Sequence, residues 1–469
     1  LIVQYSLAYF VRRSIMSLNR RRFLLTTGMS VAGLAAAYRS AACAQSSSAT
    51  NVSADLSNWT GVREQFAVSP EYVHLTSFFL VSHPQPVRAA IEKHRAALDS
   101  NPFEYVEEEF FKSPFKVEKA VAEYVGGKPE EIALTDSTTM GLALVYHGLP
   151  LKAGQEILTT AHDHYSTHES IRLAAERAGA TVRKIKLFDD FKSISEEEIV
   201  SRISRDVTAK TRVVGITWVH SSTGLKLPIR AIATAISQAN KNRPQADRAL
   251  LVVDGVHGIG VEDETIAQMG ADFFVAGTHK WIFGPRGTGF IWANAENWKL
   301  MKPVIPSFSD VPAGAWLTDS RIDDPAFLKR ASEYLKIEIK GPQGDWFSPG
   351  GFHSYEHRWA LPAAFEFHKQ IGRARIAERI HSLNDQAKEG LAKMSKVKLY
   401  TPRGNKLSAG LICFDVDGMK PDAVIEKLLA KRVIASTSPY GISYARIAPS
   451  LLNTPEEIDT TLKYIREMA

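Results

Sequence analysis

Apolar positions along this chain fall into two alternating rhythms. Short, mostly apolar runs occupy residues 213–219, 250–253, 273–276 and 289–292, and Glu156-Ile157-Leu158-Thr159-Thr160 is strand-like. Runs of that length read as strands buried on both faces. Around them apolar residues recur at helical spacing: Val87, Ile91, His94 and Leu98, then 171–178 ending at Gly179, then 228–240 with Pro228 near its start. Strands alternating with helices predict an α/β chain whose mostly parallel sheet is covered by helices. From 303 to 349 the rhythm gives way to Pro, Gly, Asp and aromatic residues, and a long irregular connection is expected there. A helix over 360–371, a strand over 411–414 and amphipathic helices over 421–431 and 455–468 then predict a smaller C-terminal α/β domain. The expected organisation is a leader over 1–44, a linker and N-terminal segment over 45–75, a large domain over 76–310, the irregular connection over 311–359 and the small domain over 360–469.

Charge changes this picture only at the N-terminus. The six arginines Arg12, Arg13, Arg20, Arg21, Arg22 and Arg39 stand in a leader without acidic residues and account for the surplus of 57 basic over 51 acidic side chains. The rest of the chain is balanced, so its charge gives no reason to expect a nucleic-acid partner. Asn19-Arg20-Arg21-Arg22-Phe23-Leu24-Leu25, a modestly apolar stretch to Ala37 and the small residues Ala42-Cys43-Ala44 have the three-part design of an export signal, of the twin-arginine (Tat) type. Met16 is a plausible start. Export to the periplasm or outside is expected, with the Tat machinery as the leader's partner. After the leader no apolar run approaches the roughly 20 residues that span a bilayer, so stable membrane insertion is not expected. Two cysteines, Cys43 and Cys413, exclude a disulfide framework.

Ligands of open parallel sheets bind beyond the carboxyl ends of the strands, and five polar clusters stand at such places. Ser137-Thr138-Thr139 opens a helix and offers an anion site or an ordinary helix cap. His162-Asp163-His164-Tyr165 offers a ring to stack on a flat cofactor, a weak metal pair, or a surface loop. Asp254 closes the apolar run Leu250-Leu251-Val252-Val253 and needs a partner, either a protonated heterocyclic nitrogen or Mg²⁺. Lys280, in Gly277-Thr278-His279-Lys280-Trp281 before Gly284-Pro285-Arg286-Gly287-Thr288-Gly289, is set where desolvation favours the neutral amine that a Schiff base requires. Arg446, in an apolar stretch, suits a carboxylate clamp or a structural ion pair.

Asp254-Gly255-Val256-His257, then Gly-Thr-His-Lys, Gly-Pro-x-Gly-x-Gly and a late Arg before Asn453-Thr454-Pro455-Glu456-Glu457, taken in order, resemble the class V aminotransferase family of pyridoxal-5'-phosphate (PLP) enzymes. That family includes cysteine desulfurases and isopenicillin-N epimerase-like proteins. The resemblance runs from about Tyr72 to the C-terminus. It implies a fold type I PLP-dependent enzyme, a homodimer, and an amino-acid substrate. It implies that Lys280 forms the Schiff base with PLP and moves the Cα proton, and that Asp254 pairs with the pyridinium nitrogen. His164 would stack on the ring, with Tyr165 its rival. His257, with Ser221, would meet the ring oxygen. Ser137, Thr138, Thr139 and His279 would hold the phosphate, and Arg446 the substrate carboxylate.

Three departures sharpen the expectation. The stretch Ala435 to Tyr444 has no cysteine where desulfurases carry theirs, so a persulfide route is disfavoured. Phe352 stands where much of the family has Gly-Thr reaching the neighbouring subunit's phosphate, leaving His353, Ser354 or Arg358 to compensate. Phe78 and Phe79 are large where the family is often small, and either line the substrate pocket or fill core. An aminotransferase or epimerase is therefore expected, with a PLP-dependent lyase as the alternative. A binding protein on the same scaffold, or a metal hydrolase using His162, His164 and Asp254, are the readings from other classes; no metal is expected.

Overall fold

The computed structural model describes residues 55–469 apart from 190, 192 and 193; the export leader and the first part of the expected linker lie outside the described residues. Two units are distinguished: residues 310–340 belong to one, and 55–309 with 341–469 form the other.

The larger unit is organised around a seven-stranded sheet. Its strands are β2 (Ile132–Thr135), β3 (Glu156–Thr160), β4 (Thr181–Ile185), β5 (Thr211–Thr217), β6 (Leu250–Asp254), β7 (Phe273–Gly277) and β8 (Gly289–Trp292), in the order β2-β8-β7-β6-β5-β3-β4. Only β8 runs against its neighbours. Every residue of β2, β3, β5, β6, β7 and β8 is buried, which is why β6, β7, β8 and the middle of β5 carry apolar runs rather than alternation. The edge strand β4 is half-exposed, and its Thr-Val-Arg-Lys-Ile gave no such run. Helices Tyr165–Ala178, Glu196–Asp206 and Ile229–Ala239 make the crossovers. Gly179, at φ 64°, ends the first of them in the left-handed conformation that glycine adopts without strain.

A second sheet, β12-β13-β10-β9, is built from β9 (Val397–Leu399), β10 (Ile412–Val416), β12 (Ser436–Thr437) and β13 (Ala445–Ile447). Leu383, Leu391, Phe414, Val424, Leu428 and Ile465 pack its own core. The N-terminal segment takes part: β1 (Val73–His74) pairs in parallel with β11 (Val433–Ile434), and Thr76 bridges to Ala448. Residues 59–64 form a helix capped by Asn58, so the later part of the expected linker is folded.

The expected irregular connection over 311–359 is corrected in its first part. Helices Asp310–Leu317 and Pro325–Leu335 occupy it. The second begins with Asp324 accepting the Ala326 N–H and Pro325 in its first turn, a start signal that the surrounding Pro, Gly and Asp obscured. Among the described residues no helix is long and apolar enough to cross a membrane.

Candidate active site

Register sets the floor of the site. Asp254 is the last residue of β6 and lies level with Thr217 of β5 and Val275 of β7. The three strand ends therefore open onto one edge, and the turns that leave them carry the polar residues. Lys280, Asp254, His164, His257, Ser221, Ser137, Thr138, Thr139, His279 and Arg446, together with Phe78 and Phe79, line one cleft of about 330 Å³ at that edge, a volume within the range of small-molecule sites.

Asp254 is 2% exposed. Its Oδ1 accepts the Val256 N–H at 3.2 Å and its Oδ2 the Thr167 hydroxyl at 3.3 Å. Burial pushes its carboxyl up to about 6, against the Val256 hydrogen bond and the charge of Lys280. Lys280 is shifted the other way: burial brings its amine down to about 8, with Asp254 opposing and Arg446 assisting. Lys280 Nζ is 3.3 Å from His257 Nε2. Burial first, and the charge of Lys280 next, drive His257 well below its ordinary value, so its ring is neutral. The turn carrying Lys280 is pinned by backbone bonds from Thr278 N to Thr288 O (3.0 Å) and Phe283 N to Lys280 O (2.9 Å).

The anion cradle lies beside it. Ser137 caps the helix Thr138–Gly148, its Oγ accepting the Met140 N–H at 3.1 Å. Thr138 Oγ1 accepts the Gly277 N–H at 2.8 Å, tying this turn to the end of β7. A side chain at Gly277 would meet the His279 ring at 2.8 Å and Thr138 Oγ1 at 3.1 Å, so glycine keeps the two turns close. The free N–H groups and dipole at this helix start favour an anion. Burial, then Lys280, lowers His279 to about 4.

His164 caps the helix Tyr165–Ala178, its Nδ1 accepting the Ser166 N–H at 3.2 Å, which leaves the ring proton on Nε2. Tyr165 is 72% exposed and absent from the cleft wall, so of the two rings only His164 is placed to cover a cofactor. His162 turns away: it stacks on Phe188 at 4.5 Å and meets the Leu187 N–H. It does not join His164 and Asp254, and among the described residues no group of three metal-ligating side chains gathers.

Arg446, on β13, is 5% exposed. Its guanidinium donates to the carbonyls of Ser221 (2.8 Å) and Thr437 (3.1 Å) and to Ser436 Oγ (3.2 Å), and lies 4.1 Å over the Phe78 ring. All these partners are neutral, so a buried cation faces the cleft ready for an anionic ligand. Phe78 is core beneath that cation, 2% exposed, whereas Phe79 is 71% exposed at the mouth. Arg358 pairs with Asp136 at 2.8 Å.

Sequence reasoning missed Thr167, Thr217 and Tyr440. Tyr440 reaches from the C-terminal hairpin to Ser221 Oγ at 2.6 Å and sets its ring 6.1 Å from His164. Thr167 stands one helical turn after His164 and is legible only once the helix is placed. Tyr440 carries no local signal.

The residues present fit PLP. A desolvated amine and a buried carboxylate share the cleft with an anion cradle, and two more of its residues keep buried polar atoms, Thr217 Oγ1 and His257 Nδ1, without partners. A fold type I chain with this constellation is a PLP-dependent enzyme. The family described as Aminotransferase class-V matches residues 82–310 and 356–462, and the chain belongs to it. It is 24% identical over 419 residues to isopenicillin N epimerase of Amycolatopsis lactamdurans, covering 88% of this chain and 98% of that protein. A cysteine desulfurase from Thermococcus onnurineus NA1 superposes with a TM-score of 0.71 at 21% identity, over 87% of this chain and 97% of that one. The cystine C-S lyase C-DES, solved with its product cysteine persulfide, gives 0.70 at 20% identity over 85% and 98%.

Proposed function

We propose that this PLP enzyme abstracts the Cα proton of an α-amino acid and carries out an epimerase- or aminotransferase-type reaction. The observation that carries this is the Lys280 amine, brought down to about 8 and 3.3 Å from a neutral His257, in a cleft that Arg446 closes with an unneutralised positive charge. PLP, when bound, supplies the electron sink that makes a Cα–H acidic. The chain's own residues do the rest. Arg446 binds the substrate carboxylate and so fixes which bond points at Lys280. Lys280 Nζ takes the Cα proton and returns it. Asp254 would hold a proton at the cofactor's ring nitrogen. His164 covers the ring face, and His257 keeps a neutral acceptor beside Nζ.

The cysteine desulfurase chemistry named for a structural neighbour lacks its thiol here. Cys413 is fully buried in β10, and burial pushes it up to about 12. A lyase reaction without a persulfide is the second reading; the likeness to a C-S lyase favours it. To test the proposal, amino acids are titrated into the enzyme while the visible spectrum is followed in D₂O, with Lys280→Ala alongside. Deuterium entering Cα with inversion identifies an epimerase, a keto acid an aminotransferase, and pyruvate or sulfide a lyase. If no amino acid shifts the spectrum, the proposal falls.

We also infer export of the enzyme through its twin-arginine leader and assembly as a homodimer. Exposed Phe352 (85%) and Ile442 (71%) support the latter, since large apolar side chains are commonly covered by a partner. A monomer of full cofactor content in gel filtration would contradict it.

A further inference from the structure

The turn read above as the phosphate cradle carries an acid where an anion site should avoid one. Asp136 directly precedes the cap residue Ser137. A carboxylate there, its side chain 35% exposed beside the turn, opposes a phosphate dianion because like charges repel. The structure cancels it from within the same unit. Arg358, on the short helix Tyr355–Arg358, is 9% exposed and donates from Nη2 to Asp136 Oδ1 at 2.8 Å. His353 steadies the pair: its Nε2 lies 3.1 Å from the Pro349 carbonyl, an acceptor only, so Nε2 carries the proton. Its Nδ1 then accepts from the same Arg358 nitrogen at 3.3 Å. The other acid near Arg358, Glu118, is pushed up to about 8 by burial and by Asp345, and is uncharged at neutral pH. The ionised partner of Arg358 is therefore Asp136.

We propose that Arg358 is a positioning residue for the cofactor phosphate: held in place by His353, it neutralises Asp136 and fixes the Ser137-Thr138-Thr139 turn from inside the chain. The proposal rests on reading that turn as the phosphate cradle.

The test compares PLP with pyridoxal, which lacks the phosphate, by absorbance titration of the full chain. Arg358→Gln should weaken PLP about tenfold or more, most at low salt, and leave pyridoxal within about twofold. Adding Asp136→Asn to Arg358→Gln should return PLP to within about threefold of the unaltered protein, because the unpaired acid is gone. Asp136→Asn alone should bind PLP at least as tightly as the unaltered chain, which keeps the test open should Arg358→Gln fold poorly. Equal weakening of PLP and pyridoxal, a double variant no better than Arg358→Gln, or looser PLP in Asp136→Asn would each overturn the proposal. Thr139→Val separates the two readings. If it leaves the PLP-to-pyridoxal ratio unchanged, the cradle reading falls and this proposal with it; if it lowers the ratio and Arg358→Gln does not, only the proposal falls.

Discussion

The floor of the cleft and its mouth are built by different means. Asp254, Thr138 and Lys280 stand at or just beyond the ends of neighbouring strands, and the ladder holds them level: Asp254 opposite Val275, Gly277 opposite Gly289, Thr135 opposite Gly289. Phe79 and Pro439 at the mouth, with Tyr440 beside them, lie on loops. The hairpin of Pro439 and Tyr440 closes on itself, Ser438 N to Tyr444 O at 2.9 Å and Ser443 Oγ to Ser438 O at 2.7 Å. A sheet edge gives positions that small sequence changes cannot move, and loops give positions that they can. The floor therefore suits the proton chemistry common to the family, and the mouth suits the choice of substrate.

The largest break in that comparison comes from the floor. Lys280→Ala should cost roughly 10³-fold or more in turnover and abolish the visible cofactor band, since among the described residues no other amine lines the cleft. Asp254→Asn keeps the shape and removes the charge; about 10²-fold loss of kcat with a changed cofactor spectrum is expected. Arg446→Met should raise KM roughly 10- to 100-fold with a smaller change in kcat, because the lost contact is to the substrate carboxylate. Steady-state kinetics and absorbance spectra check all three.

The floor also sets a pH dependence. Burial lowers the Lys280 amine from 10.5 to about 8, so the neutral, nucleophilic form grows as pH rises and dominates above about 8. PLP capture by the cofactor-free chain should quicken by up to about tenfold per pH unit below that point and level off above it. Stopped-flow absorbance measures this. A rate still climbing at pH 10 would place the amine in solvent rather than in the cleft.

The same contrast decides what could be read in advance. Asp254 and Lys280 were legible because each ends or follows a fully apolar run, where a charged group requires a reason. Arg446 was legible for the same cause, a cation in a buried strand. Tyr440 was not, since its partner Ser221 lies 219 positions away and only the closed hairpin brings them together. Strand β4 was hidden by its half-exposed edge position. The pairing of Val73 with Val433 joins distant ends of the chain, so the segment before it looked like a linker. Helices at 310–317 and 325–335 were obscured because Pro, Gly and Asp dominate the stretch, although Pro and Asp are also what starts a helix.

The smallest effect tests the mouth. Phe79 is 71% exposed, so Phe79→Ala should change stability by no more than about 0.5 kcal/mol. Phe78→Ala, by contrast, opens a cavity under Arg446 and should cost about 3–5 kcal/mol. The functional consequence runs the other way. A ring at the rim contacts only what extends past the floor, so Phe79→Ala should leave kcat/KM for alanine nearly untouched. Against a large apolar amino acid it should lower kcat/KM by about threefold to tenfold, less than a fully enclosing hydrophobic pocket provides. Competition between the two substrates reads that ratio directly. If the ratio stays constant while Arg446→Met shifts it, selection lies on the floor after all, and the division of labour between sheet and loops does not hold for this enzyme.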